Sequence, residues 1–103
     1  MHLGNVYSAL MSWLSARSQG GEWILRIEDL DPQRCKREYA EQLEEDLRWL
    51  GLEWDAGGVE DPEYVQSQRY DIYEEYLKRL TDLGLTYPCY CSRADILATQ
   101  APH

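Results

Sequence analysis

Residues 22–29 read Glu22-Trp23-Ile24-Leu25-Arg26-Ile27-Glu28-Asp29, and the fold class follows from how this stretch is read. Trp23 to Ile27 is nearly all apolar and partly β-branched, so it predicts a strand buried on both faces, as in a parallel sheet. The strand ends in two carboxylates. Acids at the carboxyl end of a parallel strand sit where open α/β sheets bind ligands. A strand end with solvated acids is the plainer alternative, with Asp29 free to cap a turn.

Helical patterns flank the strand. Upstream, Leu3 to about Arg17 places Leu3, Val6, Leu10, Trp13 and Leu14 on one stripe, and Gln19-Gly20-Gly21 ends it. Downstream, Asp31-Pro32 predicts a helix start, with Asp as cap and Pro as first residue. That second helix runs to Leu50, with Ala40, Leu43, Leu47 and Leu50 inward and Glu38, Glu41, Glu44, Glu45 and Asp46 facing water; Gly51 stops it. Asp55 to Pro62 is a Gly- and acid-rich loop. A third helix is expected from about Arg69 to Leu83, with Tyr73, Tyr76, Leu77 and Leu80 inward. Leu85-Thr86-Tyr87 reads as a short strand, and Ser92 caps a last helical stretch from Arg93 to Ala98. The order of helix, strand, helix, loop, helix, strand and short helix is α/β, entered half way through a βαβ unit.

Bulk properties narrow the function classes. At 103 residues the chain is at most one ordinary domain, and 44% hydrophobic residues with four Trp and eight Tyr imply a folded chain. The net charge of −9 speaks against a simple polyanion binder, because phosphate contacts need clustered cations. The one small cluster, Arg34, Lys36 and Arg37, reads as a solvated helix start. Three cysteines fit a reducing compartment better than a disulfide framework. No apolar run approaches a membrane span and no charged-then-apolar leader is evident, so a soluble cytoplasmic protein without a membrane partner is expected.

Three groups of residues carry candidate chemistry. His2-Leu3-Gly4-Asn5 opens a helix whose free N–H groups favour an anion; Gly4 lets a ligand approach the backbone, and His2 can donate to a phosphate oxygen. Glu28 can hold an ammonium group. Cys89-Tyr90-Cys91 supplies two thiols, either half of a tetrahedral zinc site or simply two partly buried side chains.

Taken together, these pieces resemble the catalytic domain of the class I glutamyl-tRNA synthetases across nearly the whole chain. His2-Leu3-Gly4-Asn5 is similar to the family's HIGH signature, and Arg26 to Asp31 to its R-I-E-D-x-D segment. Leu50-Gly51-Leu52-Glu53-Trp54-Asp55 resembles its L-G-L-x-W-D, and Tyr64 to Arg69, followed by Tyr73, the lead into the third helix. Four spaced motifs agree in order, which no single one would achieve. Asp29-Leu30-Asp31-Pro32 with Arg34, Gln66 to Arg69, Tyr87 to Arg93, and Ala101-Pro102-His103 resemble the short glutamyl-Q branch of the family.

The resemblance implies a partial Rossmann-type catalytic domain, with residues 1–86 as its first half and 87–103 as the start of a zinc-binding insert. It implies that glutamate is activated with ATP and then transferred. In the short branch the acceptor is the queuosine base of tRNA(Asp); in the full-length enzymes it is tRNA(Glu). His2 and Gly4 would sit over the ATP, His2 assisting the transition state. Asn5 stands where many synthetases have a second His, and Glu28 would bind the α-ammonium of glutamate. Tyr64 and Arg69 would give structural support. Cys89 and Cys91 would be two of four zinc ligands, with His103 an opportunistic third and Cys35 a plain thiol. The family's first strand, its second half and the rest of the insert are expected to be absent, which predicts an inactive piece that self-associates through an unpaired strand edge. A non-catalytic metal-binding or interaction module is the alternative from another class.

Overall fold

In the computed structural model, which describes residues 1–98, only Ile24 and Leu25 of residues 22–29 form a ladder. This strand, β1 (Ile24–Leu25), pairs in parallel with β2 (Ala56–Gly57), Ile24 opposite Ala56 and Leu25 opposite Gly57. Helix α1 (Leu3–Ser18) precedes β1, and α2 (Arg37–Trp49) is the crossover between the strands. The core is therefore a βαβ unit with a small parallel sheet. One isolated parallel bridge, Ile27 to Val65, extends it past β1. Two 3-10 turns, Pro62–Tyr64 and Gln66–Gln68, lead to α3 (Tyr70–Asp82); α4 (Arg93–Ala98) follows.

The chain divides into two compact units, Met1–Asp71 and Ile72–His103. In the first, Ile27, Leu47, Leu52 and Val65 are the buried apolar side chains. Leu47 and Leu52 meet there because of how α2 ends. Gly51, at φ 74, donates to Arg48 O at 3.0 Å, and Leu52 N–H turns back to Leu47 O at 2.9 Å. This left-handed stop folds the residue after it onto the helix face. The ends of α1 and α3 close in the same way, through Gly21 N–H to Ala16 O and Leu85 N–H to Leu80 O.

Several expectations are corrected. Residues 22–29 are covered on one face only: Trp23, Leu25 and Asp29 are half-buried and Ile27 buried, while Ile24, Arg26 and Glu28 are exposed. Helix α1 turns Val6, Ala9, Trp13 and Ala16 inward, leaving Leu3, Leu10 and Leu14 exposed. The sequence is apolar around most of α1, so composition did not mark the covered face. Helix α2 starts at Arg37, not at Pro32. Asp31 instead closes a separate turn, accepting Cys35 N–H at 2.8 Å and, through Oδ1, Gln33 N–H at 3.1 Å. Lys36, with ψ 144°, then takes the N-cap place in extended backbone. Leu50 is exposed, and Glu44, expected in water, is buried. Leu85–Tyr87 is not a strand: the amide of Leu85 is spent closing α3. Tyr73, Tyr76, Leu77 and Leu80 on α3 are exposed rather than inward. Helix α4 has the predicted bounds, with Ser92 and Asp95 bonded to each other at its start. Ala101-Pro102-His103, and with it the suggested third ligand His103, lie outside the described residues.

Candidate active site

Glu28 stands three residues past the ladder of β1, exposed, in the wall of a cavity of about 610 Å³. Cys35 and Lys36, just ahead of α2, and Arg37, its first residue, line the same cavity, as do Val59 and Val65. Arg26, two residues back on the same strand face, pairs with the Glu28 carboxylate. A hydrogen-bonded acid beside a basic helix start offers mixed charge suited to a zwitterion or a phosphorylated group.

The mouth of α1 contributes a second hollow, of about 450 Å³, walled by Gly4, Asn5 and Ser8 against Trp23 and Leu25 of the β1 segment. Leu43 of α2 lies in the wall of both hollows. His2 is the N-cap of α1, exposed, with extended backbone and no side-chain capping bond. Its carbonyl accepts the amides of Asn5 and Val6 at 3.0 and 3.1 Å. The amides of Leu3 and Gly4 precede any intrahelical acceptor and point out of the helix start, where no acidic side chain sits in the first turn. A Cβ built on Gly4 would meet nothing within 4 Å. Glycine is thus not demanded there by the chain's own packing.

Contacts outside the candidate residues hold this frame. Glu44 accepts Val59 N–H at 2.7 Å and Arg48 at 3.0 Å, fastening the Gly57–Val59 loop to α2. Arg48 in turn lies over the Trp54 ring, 4.8 Å from its centroid. Asp55 accepts Arg17 at 2.6 Å and Trp23 N–H at 2.7 Å, tying the end of α1 to the entry of β1. The Arg17 guanidinium, aided by that amide, holds the Asp55 carboxyl below the usual carboxylate range; the same pairing raises Arg17. Asp29 accepts both the amide and the hydroxyl of Ser67, at 2.8 and 2.6 Å. The main-chain carbonyl of Tyr64 accepts Ile27 N–H at 2.8 Å, and the Arg69 side chain donates to Glu63 O at 2.8 Å. Glu44 had one sequence signal: on α2 it falls on the row of Ala40 and Leu47, at i+4 and i−3.

Cys89 and Cys91 are exposed and Cys35 is half-buried, all three as free thiols. Among the described residues no three His, Cys, Asp or Glu side chains converge to hold a metal. Zinc takes four protein ligands in a structural site, so the Cys89–Cys91 pair by itself does not fit it. Among the described residues no helix is long and apolar enough to cross a membrane.

Residues 1–101 match the family described as tRNA synthetases class I (E and Q), catalytic domain. Among curated proteins, the glutamyl-Q tRNA(Asp) synthetase of Symbiobacterium thermophilum is 52% identical over all of this chain, and that of Nitratidesulfovibrio vulgaris 48%. The glutamate–tRNA ligase of Aquifex aeolicus is 48% identical over 93% of the chain. The chain spans 33% of the length of the first two and 19% of the third.

Proposed function

The chain belongs to the catalytic-domain family of the class I tRNA synthetases (E and Q), and from that premise we propose that it serves the activation of glutamate by ATP. A carboxylate oxygen of glutamate attacks the α-phosphorus, the new O–P bond forms as the bond to the bridging oxygen breaks, and pyrophosphate leaves. The activated acyl group then passes to an acceptor hydroxyl on tRNA and AMP departs. Such steps depend on positioning and on neutralising charge at the phosphates.

In this proposal Glu28 receives the α-ammonium of glutamate. The amides at the head of α1 face the ATP phosphates, Gly4 leaves room for the nucleotide, and His2 donates to a phosphate oxygen as charge builds. Asn5 takes a lesser, mainly structural part. Residues 1–86 form the first half of a Rossmann-type domain, and 87–103 open an insert in which Cys89 and Cys91 would need two ligands from elsewhere before zinc could bind. A free edge beside β1 and the exposed apolar faces favour self-association of the chain.

The observation that carries this reading is the pairing of a parallel βαβ unit with an exposed acid, Glu28, opening into a cavity at its strand end. The glutamyl-Q relatives favour queuosine of tRNA(Asp) as acceptor, whereas the glutamate–tRNA ligases, nearly as similar, favour tRNA(Glu). The test uses the complete gene product: glutamate-dependent exchange of labelled pyrophosphate into ATP, then transfer of labelled glutamate to each tRNA. Exchange with labelling of tRNA(Asp) supports the first acceptor, labelling of tRNA(Glu) the second. No glutamate-dependent exchange overturns the proposal.

A further inference from the structure

The carboxylate of Glu28 is exposed, and its partner among the described residues, Arg26, lies on its own strand. Among the described residues no neighbouring element grips it, so its direction is set by its own strand, through the main chain and the Arg26 pair. Yet the regular ladder has already ended at Leu25. What continues is a set of bonds to the turn that follows β2. Ile27 donates to Tyr64 O at 2.8 Å and accepts Gln66 N–H at 2.9 Å. Beyond Ile27, the side chain of Asp29 takes over: Oδ1 accepts Ser67 N–H at 2.8 Å and Oδ2 accepts Ser67 O–H at 2.6 Å. Glu28 is thereby held on both flanks by residues 64–67.

We propose that Asp29 is a positioning residue, which through its two-point bond to Ser67 fixes the backbone at Glu28 and so the direction in which the Glu28 carboxylate enters the cavity. This rests on the reading of Glu28 as the partner of the substrate ammonium. Alternation along the strand assigns the roles: Ile27 and Asp29 point to the covered side, and Arg26 and Glu28 to the open one. Bonds to a carboxylate are short and directional, so a charged acceptor spanning an amide and a hydroxyl limits twist as a single bond does not. The cavity wall includes both partners, Asp29 and Ser67, so loss of the link widens the space in which Glu28 can wander.

Three substitutions separate this role from plain stabilisation. Asp29→Ala severs both bonds. Ser67→Ala removes the hydroxyl and keeps the amide. Asp29→Asn keeps an acceptor for the amide and turns the other contact into an N–H donated to the Ser67 oxygen, preserving the geometry without the charge. In the complete gene product, D29A is expected to raise the KM for glutamate about tenfold in pyrophosphate exchange while KM for ATP stays within about twofold, S67A to fall between, and D29N to recover most of the loss. The double variant D29A/S67A is expected to match D29A, as for two ends of one link. Equal rises in both KM values, or no rise in D29A, overturn the inference.

Carboxyl-carbon NMR of the chain, with Glu28 assigned through E28Q, gives a readout independent of catalysis. The Glu28 resonance of the unaltered chain is expected to be distinct, and in D29A to collapse onto those of free surface glutamates. An unmoved Glu28 resonance overturns the positioning role whatever the exchange assay gives. Absence of exchange in the unaltered protein sinks the reading of the reaction, and the NMR result alone then decides the positioning role.

Discussion

A glycine inside a helix costs about 1 kcal/mol relative to alanine, and Gly4 sits in the first turn of α1 with open space where a Cβ would go. The chain's own packing gives no reason for it, whereas the nucleotide proposed to lie against the helix start would. Gly4→Ala is therefore expected to raise the melting temperature by a few degrees and at the same time to lower glutamate-dependent exchange about tenfold or more, through ATP rather than glutamate. Calorimetry and exchange kinetics on one preparation check both signs; a stabilised variant with unaltered kinetics removes Gly4 from the site. Gly57 has the opposite character. At φ 89, a Cβ there would stand 2.1 Å from Leu25 O, inside the sheet contact itself. Gly57→Ala is expected to cost roughly 2–4 kcal/mol and to loosen β2 from β1, visible in thermal melts and in faster amide exchange at Gly58.

Among the elements, α1 is tied to the 53–55 segment by a set of polar bonds. Trp13 donates to Glu53 O at 3.2 Å, Arg17 to the same carbonyl at 2.9 Å, and Asp55 closes the set. The Asp55 carboxyl is held below its ordinary value of about 3.8, so the folded state binds its proton less readily than the unfolded chain does. Its contribution is complete above that value and disappears as the pH falls through the lower folded one. Acid titration followed by Trp23 fluorescence is expected to show α1 loosening below about pH 4. Asp55→Asn is expected to lose stability at neutral pH and to flatten this acid limb; an unchanged limb assigns the transition to other carboxylates. The second element device, the Glu44 link to Val59, was hidden from sequence reading. Helical spacing puts Glu44 on the row of Ala40 and Leu47, but the amide that satisfies it there comes from the loop after Trp54.

Viewed as a whole molecule, the chain leaves much apolar surface uncovered. Leu3 is 85% exposed on α1, Trp49 86% at the end of α2, and Leu77 57% on α3. Surfaces of this kind associate. Sedimentation is expected to show mass rising with concentration, and a clean monomer at high concentration would count against the proposed self-association.

What the sequence determined alone was local. The apolar run Trp23–Ile27, the glycines after α1, α2 and α3 and the 3.6-residue spacing of Leu43 and Leu47 located the strand, those helix ends and the crossover helix, because backbone preferences and periodicity act over a few residues. The four spaced motifs identified the family before any contact was known. Only tertiary structure decided which face of α1 is covered, that Glu44 is buried, that Asp31 closes a turn ahead of α2, and that Asp29 answers Ser67 across the chain. Glu44 and Asp29 answer amides 15 and 38 residues away, and hydrogen bonds across such separations leave no spacing in the sequence to read; the Asp31 turn is local, but Asp-Pro suits a helix start as well as a turn.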